Sequence, residues 1–226
     1  MLGYLTVAFI RSWCDNQYTL TRPTPPPIYR FLAPWYEPVS PWWLNHFYRS
    51  AYSAFDEALK LYLHSEVKVL DLGCGTGALL DRILRLNAPF EKYTGIDISP
   101  DMLKRALAKY SDERILFYCL DINSEPLPTG NFDLIVSAWA FEHFDDPKSV
   151  VIKAWEQLNP GGSMLLLFEI DTQSVKSLFI RAVWRLFQAQ LLPADLPLQF
   201  PGFVDMLNFR GPLGTLSLVL LKKPSK

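Results

Sequence analysis

The stretch VLDLGCGTG, from Val69 to Gly77, decides the fold of this chain. Its first residues belong to an apolar run from Val67 to Leu72, and residues 79–84 then place leucine and isoleucine at helical spacing. A buried strand that passes through a glycine-rich turn directly into a helix is typical of a parallel α/β sheet. Because glycine has no Cβ, a ligand can approach this turn closely, and the first N–H groups of the helix are free to bind it.

The same alternation of short apolar runs and helical spacing continues along the chain. Ser99 before Pro100, and Asp146 before Pro147, predict two helix starts with a capping side chain. Residues 159–162 (NPGG) predict the turn that ends the second of these helices. The strands predicted after the first are Tyr93–Ile98, Ile115–Leu120, Phe132–Ser137, Met164–Phe168, Phe203–Phe209 and Thr215–Leu221.

The last two predicted strands are joined by residues 211–214 (GPLG), which indicates an antiparallel pair. We therefore predict an α/β fold: a Rossmann-like, doubly wound, mostly parallel seven-stranded sheet with helices on both faces and an antiparallel C-terminal hairpin. A further helix is predicted from Gln173 to Leu192, where apolar side chains recur on one side before prolines interrupt the pattern.

Residues 1–64 differ in composition from the rest and are interpreted as an N-terminal extension with lid helices, whereas residues 65–226 form the main domain. Seven prolines between Arg22 and Pro41 exclude a helix interior or a central strand there. An aromatic segment to about His64 then predicts one or two helices. Leu2–Ile10 is apolar but too short to span a bilayer, so it is either an ordinary strand, helix or tail, or a weak interfacial anchor.

Charge and cysteine content narrow the functional classes. Lysine and arginine number 22 and aspartate and glutamate 23, so the net charge is −1. No basic run is dense enough to attract a phosphate backbone, and we expect no nucleic-acid partner. Cys14, Cys74 and Cys119 have neither CxxC spacing nor a nearby histidine, so we expect no metal site and a reducing, cytoplasmic environment.

Acidic residues follow the first three predicted strands. Asp71 precedes the glycine turn, Asp97 ends the second strand and Asp121 ends the third. A carboxylate in the position of Asp97 accepts hydrogen bonds from a ribose diol, and one at Asp121 accepts from an adenine amino group. The turn reads GxGxG, whereas dinucleotide sites favour GxGxxG. The pattern therefore predicts a pocket for a nucleoside that carries positive charge.

From Val69 to about Phe168 the chain resembles the class I S-adenosylmethionine-dependent methyltransferases. It is most similar to the small-molecule enzymes related to the ubiquinone and menaquinone C-methyltransferases. The resemblance rests on VLDLGCGTGALL, YTGIDISPDMLKRA, LDINSEPLPTGNFDLIVSAWAFEHFDDP and LNPGGSMLLLFE. It implies S-adenosylmethionine as cofactor, held by Asp71, Gly73, Cys74, Gly75, Gly77, Asp97, Ile98, Met102, Asp121, Ile122 and Ser137.

The segment Tyr29–Glu37 is similar to the YDxxAxxYD element that folds over the active site in the same relatives. Arg30 and Glu37 stand where that element has acids. The resemblance places Tyr36 in the acceptor pocket.

The residues after the fourth strand should face the methyl acceptor. Trp139 and Phe141 are candidates for the pocket wall, with core packing as the alternative. His143 could act as a general base or as a polar contact for the acceptor, or could simply pack beside the helix start.

The predicted reaction is one in-line displacement of the sulfonium methyl group by an acceptor. The segment 137–140 (SAWA) lacks the Asn/Asp-Pro-Pro-aromatic motif of enzymes that methylate nucleic-acid bases. Aromatic residues make up 14% of the chain, which favours a small apolar or aromatic acceptor, methylated at carbon or oxygen. An acceptor of this kind could also be bound at a membrane surface. The alternatives are a catalytically silent methyltransferase-like subunit and, less well supported by the turn, a nicotinamide-dependent oxidoreductase.

Overall fold

A computed structural model describes residues 46–173, 181, 184–185, 189–211 and 214–225. The apolar N-terminus, the proline-rich segment and the predicted element around Tyr36 lie outside these residues. Most of the helix predicted from Gln173 to Leu192 also lies outside them. No helix in the described part of the chain combines the length and the apolar character that a membrane crossing needs.

The described chain alternates strands and helices as the hydrophobic pattern predicts. The helices are α1 (Arg49–Tyr62), α2 (Ala78–Arg85), α3 (Pro100–Lys109) and α4 (Pro147–Gln157), with short 3-10 helices at Phe141–His143 and Leu196–Gln199. The strands are β1 (Lys68–Leu72), β2 (Lys92–Asp97), β3 (Ile115–Cys119), β4 (Phe132–Ala138), β5 (Leu158–Asp171), β6 (Leu192–Pro193), β7 (Phe203–Arg210) and β8 (Thr215–Lys222).

The strands form one Rossmann-like sheet in the order β3-β2-β1-β4-β5-β8-β7, with β6 pairing beside β5. Strands β1 to β5 are parallel, whereas β8 runs antiparallel to both β5 and β7. The seven predicted strands are therefore confirmed, and the two-residue β6 is an addition that the hydrophobic pattern did not predict. The strand order reverses between β1 and β4, which is where open α/β sheets bind their ligands.

Helices cover both faces of the sheet because side chains of successive strand residues point in opposite directions. On one face, Val69 and Leu165 pack with the apolar sides of α1, α2 and α3. On the other face, Leu70 and Leu166 pack with α4. The sheet is buried on both sides, as expected for parallel strands.

The predicted helix starts are confirmed in detail. The Ser99 hydroxyl accepts a hydrogen bond from the Met102 amide at 3.4 Å, and the Asp146 carboxylate accepts one from the Ser149 amide at 3.1 Å. In both helices a proline follows the cap, at a position where no N–H donor is needed.

Two predicted boundaries are wrong. Strand β5 begins at Leu158, because Leu158 already pairs with Phe132, so the predicted turn at residues 159–162 lies within the irregular start of this strand. The helix predicted to reach Leu192 ends earlier, since Leu192 pairs with Ile170 as part of β6. Prolines at 193 and 197 force the chain out of helical geometry there, and pairing with β5 satisfies the backbone instead.

Candidate functional site

The glycine turn after β1 is fixed against the end of β2. The amides of Gly73 and Cys74 both donate to the Ile96 carbonyl, at 2.8 and 2.9 Å. Gly73 and Gly75 have φ values of 75° and 54°, which glycine adopts without the steric cost that a side chain adds. A Cβ at Gly73 would lie 2.3 Å from the Ala140 Cβ, whereas a Cβ at Gly75 would meet nothing within 4 Å. The turn is thus closed on one side by Ala140 and open at Gly75.

Asp97 lies at the end of β2 and points into this turn. Its Oδ2 accepts a hydrogen bond from the Gly75 amide at 2.8 Å, and its Oδ1 accepts one from the Ser99 amide at 2.8 Å. Burial raises the pKa of Asp97, and the Ser99 and Gly75 amides oppose this shift. The carboxylate is therefore oriented by the backbone, and each oxygen retains capacity to accept a further hydrogen bond from a ligand.

Asp71 lies deeper than the sequence suggested. Its side chain is buried, and the Tyr93 hydroxyl of β2 donates to its Oδ2. Burial raises the pKa of Asp71 to about 7, the Tyr93 hydrogen bond lowers it, and the charge of Asp97 raises it further. The sequence did contain a signal for this contact. Tyr93 pairs in register with Val69, and Val69 and Asp71 point to the same face of the sheet because they are two residues apart in β1.

Asp121 is buried after β3, where its carboxylate organises its own loop. The Asn123 amide donates to Oδ1 at 3.0 Å, and the Ser124 hydroxyl donates to Oδ2 at 2.8 Å. The Asp121 amide itself donates to Glu125 at 3.0 Å. In the geometry described, Asp121 holds the loop that carries Ile122; it has no hydrogen bond with the glycine turn.

The remaining predicted cofactor residues surround the same end of the sheet. Met102, Ile122 and Cys74 are buried, and Ile98 is partly buried. The Ser137 hydroxyl of β4 donates to the Leu72 carbonyl at 2.7 Å, which joins β4 to the start of the glycine turn. Gly77 begins α2 with a φ of 84°, and the Tyr110 hydroxyl donates to its carbonyl at 3.1 Å.

Two features of the turn fit a bound nucleoside cofactor. Gly75 faces open space, so its backbone is accessible to a ligand. Within the described residues, the Thr76 hydroxyl is buried without a hydrogen-bond partner, a state that costs free energy unless a partner is supplied. The described residues contain no group of three or more His, Cys, Asp or Glu side chains placed to hold a metal ion.

Trp139 follows β4 in a conformation that bulky residues rarely adopt, with a φ of 61°. The Trp139 indole N–H donates to the Tyr52 hydroxyl of α1 at 2.8 Å, and its ring meets the Tyr48 ring edge-on, with 5.6 Å between centroids. Strained backbone that the surroundings hold in place is concentrated at functional sites. Trp139 is partly exposed, which fits the predicted pocket wall.

Phe141 and His143 lie in the 3-10 helix that follows. The Phe141 ring is fully buried and stacks on Phe168 with 5.4 Å between centroids, so it belongs to the core and forms no part of an open pocket wall. His143 is partly buried at the end of the same helix, and its amide donates to the Ala140 carbonyl at 3.0 Å.

A pair of buried acids beside these residues was missed from the sequence. Glu142 Oε1 accepts a hydrogen bond from the Glu169 amide at 2.7 Å, and both side chains are almost completely buried. Burial raises the pKa of Glu142 to about 7; burial and the charge of Glu142 raise that of Glu169 to about 8. One signal was available, since Glu169 interrupts the apolar run LLLFEID. We call Glu142 and Glu169 the buried acidic pair.

The fold and the glycine turn with its ordered acid define a Rossmann-like domain for a nucleoside cofactor. Residues 70–166 match the family model described as a methyltransferase domain. This part of the chain is therefore similar to the class I methyltransferases, the class that depends on S-adenosylmethionine. The match supports a methyltransferase over the nicotinamide-dependent alternative.

Curated relatives agree in class. Over 104 residues the chain is 32% identical to malonyl-[acyl-carrier protein] O-methyltransferase of Priestia megaterium, which covers 46% of this chain and 37% of that protein. It is also 32% identical over 99 residues to an uncharacterized methyltransferase of Mycobacterium tuberculosis, covering 44% of this chain and 49% of that protein. The chain thus spans less than half the length of these relatives.

Solved structures show the same fold at low sequence identity. The N-methyltransferase NodS of Bradyrhizobium japonicum, in complex with S-adenosyl-L-homocysteine, has a TM-score of 0.62 at 19% identity, over 81% of this chain and 92% of that one. An S-adenosylmethionine-dependent methyltransferase of Mesorhizobium loti has a TM-score of 0.61 at 18% identity, over 74% and 96%.

Proposed function

We propose that this protein transfers the methyl group of S-adenosylmethionine to a small apolar or aromatic acceptor, at an oxygen or carbon atom. The observation that carries the proposal is the contact between Asp97 and Gly75. It places an oriented carboxylate beside an open stretch of backbone at the point where the strand order reverses.

The residues at this end of the sheet divide the binding among them. Asp97 would accept hydrogen bonds from the ribose hydroxyls, and Met102 and Ile122 would enclose the adenine. Gly73 to Gly77 would face the methionine part, with the Thr76 hydroxyl as a hydrogen-bonding group. Asp71 would lie beneath the turn and add negative charge near the sulfonium. S-adenosylmethionine supplies a methyl group on positively charged sulfur, which leaves as a neutral thioether.

The protein needs no covalent nucleophile for this chemistry. Its contribution is to hold the acceptor in line with the methyl–sulfur bond and to exclude water, which accounts for roughly 7–11 kcal/mol in well-oriented intramolecular reactions. The segment that begins at Ala140 borders the proposed acceptor site, because Ala140 packs directly on Gly73. His143, in the same segment, is proposed as a polar contact beside the acceptor.

The acceptor class is proposed from the residues next to the turn. Trp139 is partly exposed there, and Tyr48 and Tyr52 lie against it, which gives the site an aromatic side. The relatives include enzymes named for O-methylation and for N-methylation, so membership of this class does not select the acceptor.

A catalytically silent methyltransferase-like subunit is the second candidate function. It is favoured by the complete burial of Phe141 and by the near-complete burial of Glu142, because these side chains fill space after β4. Such a subunit would bind the cofactor without transferring its methyl group.

Two measurements test these proposals in turn. Calorimetric titration should show binding of S-adenosylmethionine and no binding of NAD. Incubation with methyl-labelled S-adenosylmethionine and a lipid-soluble extract, followed by mass analysis, should then reveal a methylated product. Cofactor binding with no product from any extract would favour the silent subunit, and absence of cofactor binding would refute both.

A further inference from the structure

The buried acidic pair lies where strand β5 meets the 3-10 helix after β4. Glu169 alternates with Leu165 and Leu167 and therefore points to the same face of the sheet as they do. Its Oε2 accepts a hydrogen bond from the Trp184 indole N–H at 2.8 Å. The Glu169 amide, in turn, donates to Glu142 Oε1.

Glu142 keeps one buried side-chain oxygen without a hydrogen bond. Among the described residues, Glu142 Oε2 is buried and has no hydrogen-bond partner, whereas Glu169 also faces the Tyr48 hydroxyl, whose hydrogen bond lowers the Glu169 pKa. Removal of such an atom from water without a partner is costly, and more so for a charged group. Within the part of the chain that the structure describes, the groups that face the pair are the Tyr48 hydroxyl, the Trp184 indole and the two acids themselves, with no cationic side chain among them.

Close packing fixes the position of these oxygens. A Cβ at Gly214 would lie 1.6 Å from Glu169 Oε1, so the loop before β8 approaches the acid too closely for any side chain. Tyr48, which faces Glu169, is packed against Gly211 and Trp139. The residue that caps α1, Gly214 before β8, and the residues after β4 thus all meet at the pair.

The pair also lies close to the glycine turn along the chain. Glu142 is two residues beyond Ala140, whose Cβ closes the turn at Gly73. It is also three residues beyond the strained Trp139. In an open parallel sheet this end of β4 and β5 borders the ligand-binding crevice.

We propose that the buried acidic pair forms the polar end of the acceptor site and binds a hydroxyl group on an otherwise apolar molecule, while it rejects carboxylates. This inference rests on the proposed methyl transfer and specifies its acceptor. A hydroxyl supplies the donor that Glu142 Oε2 lacks. A carboxylate supplies no donor and adds a like charge in a buried setting.

The same contact provides a route for the proton when the hydroxyl is the methylated group. The acceptor O–H bond breaks and its proton passes to Glu142 Oε2. The acceptor oxygen forms a bond to the methyl carbon, the methyl–sulfur bond breaks, and its electron pair stays on sulfur. The raised pKa values of both acids, caused by their burial, favour retention of a proton near neutral pH.

Binding of two matched probes tests the inference. The probes are para-octylphenol and para-octylbenzoate, which share an apolar body and differ only in the polar group. Calorimetry with protein saturated by S-adenosylhomocysteine should show the phenol binding at least about tenfold more tightly than the benzoate. Equal or tighter binding of the benzoate, or no binding of the phenol, overturns the inference.

Substitution of the pair ties the preference to these residues. Glu142→Gln puts an amide donor in place of the free oxygen, so the preference for the phenol should fall at least about tenfold. Glu156→Gln, on the exposed surface of α4, is the matched control and should leave the preference unchanged. If Glu142→Gln does not fold, Glu169→Gln replaces it with the same expectation. An unchanged preference in a folded variant of the pair overturns the inference.

A separate measurement of methyl transfer distinguishes failure of the hydroxyl preference from failure of the proposed methyltransferase function. Methylation of para-octylbenzoate would overturn the hydroxyl preference and leave the methyltransferase function standing. Lack of binding of S-adenosylmethionine by the wild-type protein would refute the proposed function itself, whatever the probes do.

Discussion

Asp97 and Gly75 are joined by a hydrogen bond of 2.8 Å from the Gly75 amide to Asp97 Oδ2. The bond connects the end of β2 to the turn that follows β1, so the carboxylate and the open backbone are positioned by each other. An acid that is oriented before a ligand arrives loses less conformational entropy on binding. The relationship makes Asp97 the first residue to test.

Asp97→Ala should weaken binding of S-adenosylmethionine by about 1.5–3 kcal/mol, the range for hydrogen bonds to charged groups. This corresponds to roughly a tenfold to a hundredfold rise in Kd, measured by calorimetry. Asp101→Ala is the control, because Asp101 is exposed in the first turn of α3. Unchanged affinity in the folded Asp97→Ala protein would refute the ribose assignment.

Gly73 and Gly75, the first two glycines of the turn, should differ in their tolerance of alanine. Both have positive φ, so alanine costs roughly 1–2 kcal/mol of stability at either position. Gly73→Ala should cost at least about 1 kcal/mol more, because its Cβ would lie 2.3 Å from the Ala140 Cβ. Urea unfolding measures the difference.

A second substitution separates the clash from the backbone strain. Gly73→Ala combined with Ala140→Gly should recover part of the lost stability, since the opposing methyl group is gone. Strictly additive losses in the double variant would show that Ala140 does not limit the turn.

Much of the fold follows from local patterns in the sequence. The seven long strands, the glycine turn and the caps at Ser99 and Asp146 were predicted because each depends on residues close together in the chain. Strand β6 was not, because two residues pair with β5 only through a long-range contact. A strand of two residues is too short to show a hydrophobic periodicity.

Part of the site could be predicted from the sequence, because the carboxyl ends of parallel strands lie at the same edge of the sheet. This geometry brought Asp97 to Gly75 as expected. It could not show that both Asp121 oxygens are engaged in their own loop, or that Phe141 enters the core. The buried acidic pair was missed because Glu142 and Glu169 lie 27 positions apart and meet only through the β4–β5 register.

His143→Ala should leave cofactor affinity unchanged and reduce methyl transfer by less than about tenfold, because Glu142 is proposed to receive the proton. A general base contributes roughly a hundredfold to ten-thousandfold. Single-turnover transfer to the acceptor found in the extract screen is the measurement. A loss of about a hundredfold or more with normal cofactor binding would assign the base to His143.

The buried acidic pair should also make stability depend on pH. Glu169 has a folded-state pKa raised to about 8 from 4.5, mainly by burial, so between these values the folded protein holds more protons than the unfolded chain. Its contribution to the free energy of unfolding is therefore fully present below about pH 4.5 and is lost as pH rises through about 8. Glu142 and Asp71, with pKa values raised to about 7, act in the same direction.

Glu169→Gln removes one of these groups while keeping its size and an acceptor for the Trp184 indole. We expect the free energy of unfolding of this variant to fall less steeply between pH 5 and pH 8 than that of the wild type. Urea unfolding at several pH values measures both slopes. Some slope should remain, because Glu142 and Asp71 still titrate, whereas Glu156→Gln should reproduce the wild-type slope. Identical slopes for Glu169→Gln and the wild type would mean that Glu169 titrates alike in the folded and unfolded chains, and the buried charge would then not be a source of instability.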